Sequence, residues 1–146
     1  MKTIEALKNF VAQLERNLSL GEDKTKVILT PASVSEKGLV IKVGIKKTYL
    51  SSQTQGIRTT RVLKVRLAIA GAIESETGLK QAVNAIEALD AYLEKPRNLE
   101  DASGKQVPDT RILQTISQED SFIDSPDSTE VQDALDERTV TITIPA

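Results

Sequence analysis

Eight basic residues lie between Lys37 and Arg66 with no acid among them: Lys37, Lys42, Lys46, Lys47, Arg58, Arg61, Lys64 and Arg66. Cations grouped in this way can pair with phosphates or with carboxylates. A later stretch is the reverse: Glu119, Asp120, Asp124, Asp127, Glu130, Asp133, Asp136 and Glu137 follow one another with no base between them. Net charge is only −2, so charge is separated along the chain more than it is in excess. Such separation favours complementary contacts, within one subunit or between copies.

Catalytic chemistry finds little to work with. The sequence contains no Cys and no His. That excludes disulfides, thiolate metal sites, cysteine nucleophiles and a Ser-His-Asp triad, and it removes the commonest general base. Ser51, Ser52 and Ser75 have no nucleophile-elbow context, which leaves a Ser-Lys dyad as a formal option only. The acids from Glu119 to Glu137 do not follow the calcium-loop spacing and read as a solvated acidic segment. Glu22 and Asp23 are adjacent, with no distant carboxylate placed against them. No G-x-G-x-x-G or G-x-x-x-x-G-K-[ST] phosphate cradle occurs. The chain reads as a protein without enzyme activity, metal or cofactor.

Two extended runs must position the cations. From Leu39 to Tyr49, apolar Leu39, Ile41, Val43, Ile45 and Tyr49 fall on alternate positions, interrupted only by Lys47. From Arg61 to Ile69, Leu63, Val65, Leu67 and Ile69 do the same. Successive strand side chains point to opposite faces, so each run has one apolar and one polar face. The polar faces carry Lys42, Lys46, Lys64 and Arg66. Three readings stand for this basic face: a solvated surface, an interface for the acidic segment of a neighbouring copy, or a contact with phosphates. The first two are preferred, because no interleaved aromatics are present to stack on bases. The connection Ser51-Ser52-Gln53-Thr54-Gln55-Gly56 reads either as a mobile solvent loop or as a hairpin tip that docks on a partner.

The remaining elements cover this hairpin. Ile4, Leu7, Val11, Leu14 and Leu18 predict an amphipathic helix over about Thr3 to Leu18, with Thr3 as N-cap and Gly21 as stop. Its polar face mixes Glu5, Lys8, Glu15 and Arg16, which suits packing on a sheet better than lying on a membrane. Lys26 to Thr30, ended by Pro31, predicts a strand near an edge; Ala32 to Gly38 is a polar turn. Leu79, Ala82, Val83, Ile86, Leu89 and Leu93 form the stripe of a second helix, capped by Ser75 or Thr77 and stopped by Pro96. Arg97 to Asp109 is a loop. Arg111 to Ile116 is a candidate strand, with Ile112 and Ile116 on one face.

An acidic insertion spans about residues 117–137. Within it Phe122 and Ile123 read as anchors or as contacts for a neighbour, alongside Asp120, Asp124 and Asp127. Glu130 to Asp136 suggests one or two helical turns, and Thr139 to Ile144 a returning strand. The expected architecture is α+β: a single domain over 1–146, whose mainly antiparallel sheet of about 4–5 strands is covered on one face by two amphipathic helices. No apolar run approaches the roughly 20 residues that span a bilayer. The N-terminal segment lacks the continuous apolar stretch of a signal peptide, so cytosolic synthesis and retention are expected.

This element order resembles a known family. An opening amphipathic helix precedes a long hairpin with a polar tip. A second helix follows the turn Ala68-Ile69-Ala70-Gly71-Ala72. An acidic insertion then precedes the last strand, Arg138-Thr139-Val140-Thr141-Ile142-Thr143-Ile144-Pro145. The pattern is similar to that of the tail terminator and tail completion proteins of bacteriophages and related contractile particles. The resemblance implies a structural assembly protein that forms a homo-oligomeric ring, a hexamer in such families, on the tail. Its partners would be tube and sheath proteins and a neck or collar protein, with non-specific contact to passing DNA. It would assemble in the host cytoplasm and reside in the tail of a virion or phage-like particle. Head-to-tail ring closure joins two different patches, which suits the separated charge. The alternative is a small cytosolic adaptor or assembly chaperone that binds a protein partner through its sheet or helix face.

Overall fold

The two alternating runs form the middle of a five-stranded sheet. A computed structural model describes residues 1–18, 26–29, 39–52, 59–71, 75–115 and 134–146. In it β1 (Lys26–Leu29), β2 (Val40–Ser52), β3 (Thr59–Ala70), β4 (Arg111–Thr115) and β5 (Ala134–Pro145) pair in the order β1-β2-β3-β5-β4. Only β1 with β2 is parallel; β2 with β3, β3 with β5 and β4 with β5 are antiparallel. Two helices, α1 (Thr3–Asn17) and α2 (Glu76–Leu93), complete an α+β fold. This matches the expected class.

One face of the sheet carries the core. Leu63, Val65, Leu67 and Ile69 of β3 are fully buried, together with Ile41 and Val43 of β2 and Val140, Ile142 and Ile144 of β5. They share one cluster with Ala6, Leu7, Phe10 and Leu14 of α1 and with Leu89, Tyr92 and Leu93 of α2. The β3 members are all odd-numbered, so both helices lie on the same face. Each large side chain removed from water here contributes about 1.5–3 kcal/mol before entropy is counted.

The alternation breaks once. The β2–β3 register shifts between Ile45 and Lys47, which leaves Lys46 as an extra residue. Ile45 pairs with Val65 on the helix face, but beyond the bulge Thr48 pairs with Leu63 and Tyr49 with Val62. Strand periodicity is two, so one inserted residue inverts every later side chain. Tyr49 therefore sits on the face opposite Ile45, contrary to the expected alternation.

Local signals explain the helix ends. Ser75 caps α2, and its Oγ accepts a hydrogen bond from the Gly78 amide at 3.1 Å. The N-cap of α1 is Lys2, not Thr3, with no side-chain cap; the Ala6 amide donates to the Lys2 carbonyl at 3.0 Å. The stripe predicted for α2 is only partly buried. Leu79 is 48% and Val83 42% exposed, whereas Ala82, Ala85, Leu89, Tyr92 and Leu93 are buried. The face that packs is thus rotated from the Leu79–Val83 line toward Ala82 and Ala85.

The predicted helical turns near Glu130–Asp136 give way to strand from Ala134 onward, with Asp136 opposite Ile69. Pairing along β3 satisfies backbone groups that a short isolated helix would leave open. The 97–109 loop is tied down. Arg97 and Ile112 exchange backbone hydrogen bonds at 3.0 and 2.6 Å, which covers part of the outer edge of β4. Thr110 Oγ1 accepts from the Leu99 amide at 2.9 Å. Gln13 of α1 donates to the Asn98 carbonyl at 3.1 Å and accepts from the Glu100 amide at 2.8 Å. The readings placed on Gly21, Pro31, residues 32–38 and Ile116 lie outside the described residues.

Two predictions follow from this packing. Leu89→Ala should lower unfolding free energy by about 2–5 kcal/mol, whereas Leu79→Ala should stay within about 1 kcal/mol, as chemical denaturation would measure. Equal losses would contradict the rotated helix face. Burial pushes the Tyr92 hydroxyl from its ordinary value near 10 up to about 12. The unfolded chain then binds fewer protons than the folded chain between pH 10 and 12, so stability must fall as pH rises through that window. Tyr92→Phe should flatten that slope in denaturation profiles taken across it.

Candidate functional site

No described helix packs on the face of the sheet that carries the even-numbered residues of β3, and that face gathers the cations. Cross-strand pairing sets Gly44, Arg66 and Thr139 in one row and Lys47, Lys64 and Thr141 in the next. Lys42, Ala68 and Glu137 form a third row. The three Thr residues of β5, Thr139, Thr141 and Thr143, occupy alternate positions and so share this face. Lys64 Nζ donates to Thr141 Oγ1 at 2.9 Å, and Lys46 Nζ reaches Thr139 Oγ1 at 3.4 Å. These hydroxyls orient the ammonium groups without neutralising them.

Among the four predicted cations, Arg66 lies beside an acid. Arg66 Nε lies 2.8 Å from Glu137 Oε1, an ion contact whose angle falls short of a hydrogen bond. Lys42 has no ion pair among the described residues. The structure therefore brings Lys42, Lys46, Lys64 and Arg66 onto one open face, as the sequence predicts, and adds two residues. Lys47 joins them because the bulge carries it across, and its Nζ lies 5.4 Å from the Tyr49 ring centroid. Arg111 joins from β4, opposite Thr143. Arg111 was legible as a strand residue, but its face depended on a register that only pairing fixes.

The other predicted sites divide differently. Ser51 and Ser52 are strand residues paired with Thr60 and Thr59, so they do not belong to a loop tip. Antiparallel pairing carries the hairpin two residues further than the polar composition implied. Gln53, Thr54, Gln55 and Gly56 lie outside the described residues, as do Asp120, Phe122, Ile123, Asp124 and Asp127. Asp136 and Glu137, counted within the acidic insertion, belong to β5. Among the described residues no group of His, Cys, Asp or Glu could hold a metal ion.

On the helix face, Arg138 locks β5 to α2. Its Nη1 lies 2.6 Å from Asp90 Oδ1, its Nε donates to Asp136 Oδ2 at 2.9 Å, and its Nη2 also contacts Asp136. Burial works against the guanidinium charge, and the hydrogen bonds to Asp90 and Asp136 outweigh it, so the Arg138 pKa stands above the ordinary arginine value. The cationic face thus sits on a sheet in which β5 is fixed to α2 from behind.

No family model matches the chain, and no curated protein is a significant match. A solved structure is similar in fold. It is the sheath/tube terminator of an extracellular contractile injection system, PVC, captured in its extended state by cryo-electron microscopy. The likeness has a TM-score of 0.59 at 11% sequence identity and covers 100% of this chain. It covers 56% of the other chain, so this chain spans about half the length of that terminator. At that identity the likeness establishes a shared fold.

Arg138→Ala should cost about 3 kcal/mol in unfolding free energy, because it leaves the half-buried Asp136 carboxylate uncompensated. Asp90→Ala, which removes an exposed partner, should cost less than about 1 kcal/mol. A chemical denaturation series on the two variants checks both values.

Proposed function

We propose that this chain is a structural, non-enzymatic assembly protein that terminates the tube and sheath of a contractile particle. The observation that carries the reading is a fold likeness to a sheath/tube terminator that extends over the whole chain. In this reading the chain closes into a ring, a hexamer, at the end of the tail. There it stops polymerisation and provides the joint to a head, neck or collar protein. Assembly takes place in the cytoplasm of the producing cell, and the ring remains in the tail of the finished particle.

The open cationic face is the proposed working surface. Among the described residues no helix covers it. It carries Lys42, Lys46, Lys47, Lys64 and Arg66 against Glu137. An acidic surface of a neighbouring copy fits it electrostatically. A basic lining would also tolerate passing DNA through non-specific phosphate contacts. The adaptor alternative binds one protein partner through the sheet or helix face, without a ring.

Polymerising tube subunits in the presence of the chain tests the proposal. The expected result is a shortened tube-length distribution, with the chain bound at one end. Unchanged lengths, together with a chain that stays monomeric by native mass measurement, would sink it and favour the adaptor. Reversing Lys42, Lys46, Lys64 and Arg66 to Glu together should abolish ring assembly or end binding while circular dichroism stays unchanged. A reversed variant that still assembles and caps tubes would reduce the face to solvent surface.

A further inference from the structure

The long hairpin has a second exposed feature besides its basic face. β1 covers the outer edge of β2 only from Val40 to Val43. From Lys47 to Ser52 that edge meets no strand among the described residues, although the inner edge is paired with β3 throughout. An unpaired edge presents a row of backbone donors and acceptors that templates another strand. Natural edges are usually blunted by charge, proline, bulges or a cover. Here a bulge and Lys47 stand at the near end, and Thr48, Tyr49, Leu50, Ser51 and Ser52 continue past them with no charge and no proline.

The flanking side chains point the same way. Leu50 is 56% exposed and Ile45 44% exposed. Both lie on the helix face of β2, one on each side of the bulge. On the opposite face Lys47 and Tyr49 are exposed, and the Lys47 Nζ lies 5.4 Å from the Tyr49 ring centroid. An added strand would meet an apolar neighbour on one face and a cation beside an aromatic on the other.

We infer that the Lys47–Ser52 edge of β2 accepts an extended segment of a neighbouring assembly protein, one that alternates apolar and acidic side chains. Backbone hydrogen bonds would supply affinity. Apolar side chains would pack on Leu50, and acids would pair with Lys47 on the other face. A second copy of this chain fits poorly. Its own outer strands, Lys26–Leu29 and Arg111–Thr115, carry a cation each and no acid. The inference deepens the terminator reading, and it rests on that reading for the identity of the partner as an assembly protein.

Amide hydrogen exchange of the full chain tests it. The probe is a peptide of about six residues, the length of an ordinary strand, alternating valine and glutamate. Two controls accompany it: an alternating valine–lysine peptide, and a valine–glutamate peptide of the same composition in two blocks. The alternating acidic peptide should slow exchange across Lys47–Ser52 about tenfold and leave Val40–Val43 unchanged. Neither control should do so. Lys47→Glu should transfer the preference to the valine–lysine peptide, and Leu50→Lys should weaken binding of the acidic one.

No slowing with any peptide would overturn the inference, as would equal slowing by all three. Slowing that grows with chain concentration alone would assign the edge to a second copy and overturn it as well. The two readings fail separately. A chain that caps tubes while Lys47–Ser52 exchanges freely at the tube end loses the edge inference and keeps the terminator reading. A chain whose edge takes the acidic peptide but never binds a tube end does the reverse.

Discussion

One extra residue in β2 divides the hairpin into two regimes. Before Lys46, Ile41 and Val43 of β2 enter the core opposite Ile69 and Leu67, and Ile45 faces the same side opposite Val65. After it, the phase inverts, and Lys47 and Tyr49 turn to the open face while Leu50 takes the helix side. Along β2 burial falls away around the phase change: Ile41 and Val43 are fully buried, whereas Ile45 and Leu50 are exposed. The distal part of β2 leaves the core, although Leu63 opposite it on β3 stays fully buried. The distal half offers a surface. A continuous alternation would have kept Tyr49 with the core residues and Leu50 with the cations.

The rest of the molecule secures that division. α1 and α2 bury the odd face of β3, and Arg138 ties β5 to α2 through Asp90 and Asp136. The loop after α2 closes on β4 through Arg97 and on α1 through Gln13 and Glu100. All of these contacts lie on or beside the helix face. The cationic face has a different chemistry. Its contacts run laterally across the strands, from Lys46 and Lys64 to the threonines of β5 and from Arg66 to Glu137. The sheet thus commits one face to folding and gathers its cations on the other.

Much of this was legible in the residues. Strict alternation in Leu63, Val65, Leu67 and Ile69 located the core strand, because no insertion disturbs it. The basic face followed from Lys42, Lys64 and Arg66 by the same parity. Tyr49 was misplaced because a bulge leaves no mark in composition; it exists only as a mismatch between two strands. Leu79 and Val83 read as core because helical periodicity reports an apolar face without saying which part of it a partner covers. Ala134 and Leu135 read as helix because propensity is local, whereas their strand state comes from pairing with β3, far away in sequence. The hydrogen bonds of Gln13 to the Asn98 carbonyl and the Glu100 amide had no sequence signal at all.

Electron cryo-microscopy of reconstituted tube and sheath ends in the presence of this chain tests the central claim most directly. The account predicts a closed ring of the chain at one end of the tube, with its helix faces intact and its cationic sheet faces in contact with neighbouring subunits. Density for the chain spread along the tube wall, or its absence from both ends at saturating concentration, would contradict it.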